Sequence, residues 1–125
     1  MPSLGLEWFF PFFQGIFLGL LSLGLHEAAH LVTALAVGIK VRGVGFGWKG
    51  MYTMREAGPP AKNLFVSLAG PLANLALLVF WHWSPIFGLA NTCMAVVNLL
   101  PLKGSDGERI LKIIREMQNS GQPAA

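Results

Sequence analysis

The sequence predicts a membrane α-helical fold: three transmembrane helices, a membrane-associated β-hairpin between the first and second, and a C-terminal amphipathic helix. Three observations predict it. Hydrophobic residues make up 54% and charged residues 12% of the 125-residue chain, against about a quarter charged in ordinary soluble proteins. Apolar runs recur over about 9–37, 61–83 and 85–101, and about 20 apolar residues suffice to cross a bilayer. The basic residues fall in two clusters, one between the first and second runs and one after the third.

The length suits one domain, read as a core over 1–117 with a loose polar tail over 118–125. Residues 1–8 carry no Lys or Arg and the following run exceeds a signal-peptide h-region, so the first apolar segment is expected to remain in the mature protein. A net charge of +3 is too sparse for a nucleic-acid face, and membrane topology accounts for the charges better.

At the amino terminus Trp8, Phe9, Phe10, Phe12 and Phe13 surround Pro11, an aromatic anchor at a bilayer surface leading into a helix from about Phe12 to Val37. Gly15 and Gly19, and likewise Ala29 and Thr33, stand four apart, a spacing that lets helices approach closely. Gly38 is the expected stop.

Residues 39–60 change period. Ile39 and Val41 alternate with Lys40 and Arg42, then Val44, Phe46 and Trp48 alternate with Gly43, Gly45 and Gly47. Period two predicts a strand, turned back by Lys49-Gly50 onto Met51–Met54 before Gly58-Pro59-Pro60. Its glycine face is open to another backbone; the competing reading is a loop on the membrane surface.

The second run, about Ala61 to Trp83, carries Ala69-Gly70-Pro71-Leu72-Ala73-Asn74. A proline in a span frees a carbonyl that a neighbouring helix or polar group takes up, and Asn74 is a buried amide in need of a partner. His82, between Trp81 and Trp83, is read as interfacial. The third run, about Pro85 to Pro101, contains Asn91, Thr92 and Asn98 and is marginal as a straight span at ~26 Å. Cys93 within it has no partner cysteine and is read as core packing.

After the break at Pro101, Ser105 with Glu108 fits a capping box opening a last helix to about Met117. Its Ile110, Leu111, Ile113 and Ile114 oppose Arg109, Lys112 and Arg115, the pattern of a helix lying on the membrane surface. With the amino terminus outside, three spans put Lys40, Arg42, Lys49, Arg55 and Lys62, and the later cluster with Lys103, on the cytoplasmic side.

Against this apolar background His26-Glu27-Ala28-Ala29-His30 is costly, since an ionised group at mid-bilayer costs on the order of a few kcal/mol. On a helix, residues four apart share a face, so His26 and His30 can direct two imidazoles at one ion with Glu27 beside it. That is how zinc takes two nitrogen ligands while a carboxylate deprotonates the water the metal activates. A catalytic zinc usually takes a third protein ligand. His82 is on the wrong side, Glu7 and Glu56 lack a membrane-helix context, and Asp106 just past a helix break is the best candidate. Both parts of the site then fall in the cytoplasmic half of the bilayer.

His26-Glu27-x-x-His30 in one span, Gly70-Pro71-x-x-Asn74 in the next, and Asn98-x-x-Pro101 followed by Asp106-Gly107 together resemble the site-2 protease family of intramembrane zinc metalloproteases, over roughly residues 12–110. The resemblance implies that His26, His30 and Asp106 bind one zinc ion and that Glu27 activates water. It also implies three core helices, a membrane-associated β element, and membrane-spanning segments of other proteins as substrates. Two departures stand out: Ser105 occupies a position where the family commonly has leucine, and the sequence is expected to be a minimal core, without the extra helices and soluble PDZ or CBS domains of many members.

The expected activity is zinc-dependent hydrolysis of peptide bonds in or near transmembrane segments, by a multi-pass protein of a bacterial-type cell membrane. Asn74 and Asn98 are candidate oxyanion donors, with bonding to backbone freed at Pro71 and Pro101 as the equal alternative for each. The hairpin is expected to pair with the unwound substrate as an added strand. Expected partners are a membrane-protein or peptide substrate, the lipid bilayer, and either a second copy or a regulatory membrane protein, because three helices can hardly enclose a water-filled site; nucleic acid is not expected. The competing functions are a non-catalytic zinc-binding membrane protein that regulates a partner and a metal transporter, and Glu27 discriminates, because a pure binder does not require it.

Overall fold

An acid in the first turn, Glu7, opens a single 31-residue helix, α1 (Leu6–Ala36). The computed structural model that shows it describes residues 5–47 and 50–121. α1 starts earlier than the composition suggested and takes in Pro11, which lies close enough to the start to forfeit only the bond to the Glu7 carbonyl. At the other end Gly38 adopts φ 81, and the Ile39 amide returns to the Ala34 carbonyl at 2.8 Å. A glycine in this left-handed conformation closes the helix as expected.

The buried residues of α1 are Ser22, His26, His30 and Ala34, one every fourth position, and this ridge is where the chain packs on itself. Gly15 and Gly19 are not part of it: a Cβ added to either meets nothing within 4 Å. Among the described residues the close approach expected at that pair is therefore not made, and the buried positions of α1 lie from Ser22 onward.

The period-two segment is a hairpin and not a loop. β1 (Val41–Gly47) pairs antiparallel with β2 (Gly50–Arg55), Val44 opposite Thr53 and Gly45 opposite Tyr52. Gly50 belongs to the strand, and the predicted turn at Lys49 lies outside the described residues. The open glycine face is filled from within the hairpin: a Cβ on Gly45 would stand 2.6 Å from the Tyr52 hydroxyl. The cross-strand ring thus occupies the space expected for another backbone.

α2 (Pro60–Ala76) begins with proline in its first turn, where the missing N–H costs nothing. It retains Pro71 and then tightens into a 3₁₀ segment, Leu77–His82, so the second run is not one regular helix. Trp81 of that segment lies on Gly88, whose added Cβ would come within 2.7 Å of the indole. α3 (Pro85–Leu99) follows, capped by Ser84, which accepts a hydrogen bond from the Phe87 amide at 3.2 Å.

Among the described residues two stretches are long and apolar enough to cross a membrane, Leu6–Ala36 and Pro60–His82. α3 is apolar but has 15 residues, about 22 Å of helix, short of the ~30 Å hydrocarbon. Its inward residues are Phe87, Gly88, Asn91 and Ala95, while Cys93 faces outward and is exposed, contrary to the core position expected for it. The inward ridge simply passes it by.

α4 (Asp106–Asn119) is capped by Ser105, whose hydroxyl accepts from the Glu108 amide at 3.2 Å. It starts two residues before Glu108 and runs past Met117 into the expected tail. α4 packs on α2 and α3 and buries Met117. The apolar core is small, Ala34, Ile39 and Val66 with Val37 and Val41 packed on it, and large side chains such as Phe17, Leu20, Val32, Phe65 and Val79 are exposed. That inversion suits helices whose outer surface meets lipid.

Candidate metal centre

The His26 and His30 rings project from the α1 ridge at an interplanar angle of 86°, their centroids 4.7 Å apart. Both are buried, and their outer nitrogens are already engaged. His26 Nδ1 stands 2.6 Å from Asn74 Oδ1, and His30 Nδ1 stands 2.6 Å from the Val66 carbonyl. Each partner oxygen can only accept, so each Nδ1 carries the proton and each Nε2 keeps its lone pair. The two Nε2 atoms converge, 3.2 Å apart.

Asp106 completes the convergence from the first turn of α4. Its Oδ2 lies 2.9 Å from His26 Nε2 and 3.1 Å from His30 Nε2. Three acceptor atoms thus form a near-equilateral triangle with edges of 2.9–3.2 Å. Ligands at about 2.0–2.1 Å from a tetrahedral zinc would stand ~3.3 Å from one another. Lone pairs aimed at a common point repel unless a cation lies between them, so the donor set and its spacing fit zinc.

Glu27 is close but not part of the triangle. Its carboxylate and the two imidazoles offer ligand atoms all within 4.8 Å of one another, a separation that leaves room for a water between acid and metal. Thr53 of β2 donates its hydroxyl to Glu27 Oε2 at 3.2 Å. Sequence reasoning did not single out Thr53, and no spacing rule relates it to residue 27.

Two glycines let these parts approach. A Cβ on Gly70 would overlap His30 Nε2 and stand 2.6 Å from His26 Cε1, so α2 lies directly against the imidazoles. A Cβ on Gly107 would overlap the Leu99 carbonyl oxygen and stand 2.5 Å from that of Leu100, which fixes the start of α4 on the end of α3. Ser105 adds a second tie, donating its hydroxyl to the Leu100 carbonyl at 2.6 Å. The position where family resemblance led one to expect leucine therefore anchors the loop that presents Asp106.

The two asparagines differ. Asn74 is fully buried and committed, accepting from His26 and donating to Asn91 Oδ1 at 2.8 Å and Ser22 Oγ at 3.3 Å. Among the described contacts its amide is taken up by His26, Asn91 and Ser22 side chains and not by backbone freed at Pro71. Asn91 also accepts from Ser22 at 2.8 Å, so a polar network joins α1, α2 and α3. Ser22 was missed in the sequence although it lies one ridge position before His26. Asn98 donates to the Met94 carbonyl at 2.8 Å, not to backbone freed at Pro101, and lines a cavity of about 500 Å³ with His26, Glu27, His30 and Asp106. His82 is exposed at the end of the 3₁₀ segment, and Glu56 is paired with Arg42 at 3.1 Å.

No family model and no solved structure matches the chain. Curated proteins that match carry the name "Putative zinc metalloprotease". One from Methanocaldococcus jannaschii is 36% identical over 76 residues, 50% of this chain and 40% of the relative. One from Synechocystis is 29% identical over 123 residues, 83% of this chain and 32% of the relative. One from Mycolicibacterium smegmatis is 36% identical over 104 residues, 70% of this chain and 37% of the relative. The chain spans 32–40% of the length of these relatives.

Proposed function

We propose, from the premise that this chain belongs among the zinc metalloproteases for which its relatives are named, that it hydrolyses peptide bonds in or near membrane-spanning segments of other proteins. The observation that carries the reading is the triangle of His26 Nε2, His30 Nε2 and Asp106 Oδ2 with Glu27 beside it. Zinc held by these three residues would supply a Lewis acid that acidifies water and polarises the scissile carbonyl. Every other part of the chemistry falls to the chain.

Glu27 accepts the proton of the attacking water and returns it to the leaving amine. Asn98, on the cavity wall with its second amide hydrogen uncommitted in the described contacts, is the asparagine that can face developing negative charge. β2 lies along the same cavity through Tyr52, Thr53 and Arg55, where an unwound substrate adds as a strand and brings its carbonyl to Glu27. The reading places α1, α2 with its 3₁₀ extension, and α3 across the membrane, with the site in the cytoplasmic half.

The test measures zinc content and cleavage of a reporter transmembrane segment by the parent chain and by Glu27→Gln. Retained zinc with abolished cleavage is expected; full activity in Glu27→Gln overturns the mechanism. Zinc-loaded parent protein that cleaves no reporter favours the non-catalytic binder. A finer prediction concerns Thr53→Val, which removes the donor to Glu27. A charge-assisted hydrogen bond is worth about 1.5–3 kcal/mol, so kcat is expected to fall at least tenfold with zinc content and KM unchanged. Thr53→Ser restores it, and an unaltered kcat in Thr53→Val removes the hydroxyl from the mechanism.

A further inference from the structure

A second cavity of about 1000 Å³ adjoins the metal centre, and Tyr52, Thr53, Arg55 and Arg109 contribute to the walls of both. Its charges are unbalanced. Arg42 is paired with Glu56, and Glu116 stands one helical turn from Lys112 on α4 and offsets one charge at most. Among the described residues no ion pair involves Arg55 or Arg109.

Arg55 is half-buried, and its Nη2 is tethered to Ser67 Oγ at 3.4 Å. Burial, and then the neighbouring Arg109, push its guanidinium below the usual arginine range, and the Asp106 and Glu27 carboxylates offset only part of this. Arg55 is partly dehydrated and Arg109 exposed, and an anion seated between two like charges relieves their repulsion. A guanidinium fork matches a carboxylate in shape as well as charge.

We propose that Arg55 and Arg109 form a carboxylate acceptor for the substrate, selecting segments that carry Asp or Glu two to three residues from the cleaved bond. This rests on the protease reading above. The register follows from β2: Thr53 holds the catalytic acid, and Arg55 lies two residues further on the same strand face, ~7 Å away. An extended substrate beside β2 therefore meets the guanidinium pair two to three residues from the carbonyl that meets Glu27. The shared walls favour a peptide carboxylate over a lipid phosphate, since the acceptor opens towards the metal centre. The selection also works by exclusion. Ordinary spans carry Lys or Arg at their cytoplasmic flanks, and this pair repels them.

The test uses the full zinc-loaded chain carrying Glu27→Gln, in nanodiscs of neutral lipid, with fluorescent reporter transmembrane peptides. Asp, Asn or Lys is scanned through the positions around the bond that the parent chain cleaves, and binding is read by anisotropy. Asp two or three residues from that bond is expected to bind about tenfold tighter than Asn there, and Lys more weakly than Asn. In Arg55→Glu with Arg109→Glu the order inverts, Lys binding tighter than Asp, a gain that misfolding cannot produce. Equal binding of the three reporters at every position, or an order unchanged in the double variant, overturns the acceptor and leaves the Glu27 cleavage test standing. An Asp preference that disappears when phosphatidylglycerol is added in place of neutral lipid assigns the site to headgroups and likewise overturns it.

Discussion

Gly70→Ala is expected to strip zinc from the protein. The added methyl would overlap His30 Nε2 and stand 2.6 Å from His26 Cε1 and 2.7 Å from His30 Cε1, distances at which something must move. The rings cannot turn aside cheaply, because each is held on its far side, His26 by Asn74 and His30 by the Val66 carbonyl. Either an imidazole leaves its bond, orphaning a buried donor at about 1–3 kcal/mol, or α2 withdraws from α1 and takes Asn74 and Val66 with it. Both routes break the triangle, so zinc affinity should fall at least a hundredfold and cleavage with it. Gly19→Ala on α1 is the control, since its methyl meets nothing within 4 Å and zinc should be retained. Full zinc content in Gly70→Ala, measured by elemental analysis after dialysis, would mean that α2 does not lie against the histidines.

Asn74→Leu is expected to lower zinc affinity 10- to 100-fold, the usual cost of losing the partner that orients a metal-binding histidine. The substitution keeps the side chain's bulk while leaving His26 Nδ1 without an acceptor and Asn91 Oδ1 with Ser22 as its remaining donor. Because the network joins three helices, thermal stability should fall as well, by about 1–3 kcal/mol for a buried polar group left unpaired. Asn74→Asp separates the two effects. A carboxylate still accepts from His26, so zinc binding should largely return, but it cannot donate to Asn91 or Ser22, so the stability loss should persist. If Asn74→Leu binds zinc as tightly as the parent, as read by competition with a chromogenic chelator, the His26 tautomer is not set by Asn74.

His26 and His30 could be read directly, because a four-residue spacing on a helix is a local rule that brings two imidazoles together whatever the rest of the chain does. The hairpin was readable for the same reason, its alternation being a period-two pattern within seven residues of β1. Helix ends were less so. α1 takes in Pro11 and the second run tightens into a 3₁₀ turn, since packing such as Trp81 on Gly88 overrides composition.

Local spacing was enough to read the His26/His30 pair, Glu27 beside it, and the apolar background that makes them costly. Asp106 could be named in advance as the best remaining acid, but its meeting with His26 and His30, 80 and 76 residues away along the chain, depends on Gly107 and Ser105 docking α4 onto α3. That Asn74 meets His26, that Thr53 reaches Glu27, and that Arg55 and Arg109 line the cavity of the candidate metal centre emerges from packing alone. Those contacts cross between elements, and hydrogen-bond geometry over tens of residues has no periodic signature: it exists only once helices and hairpin have packed.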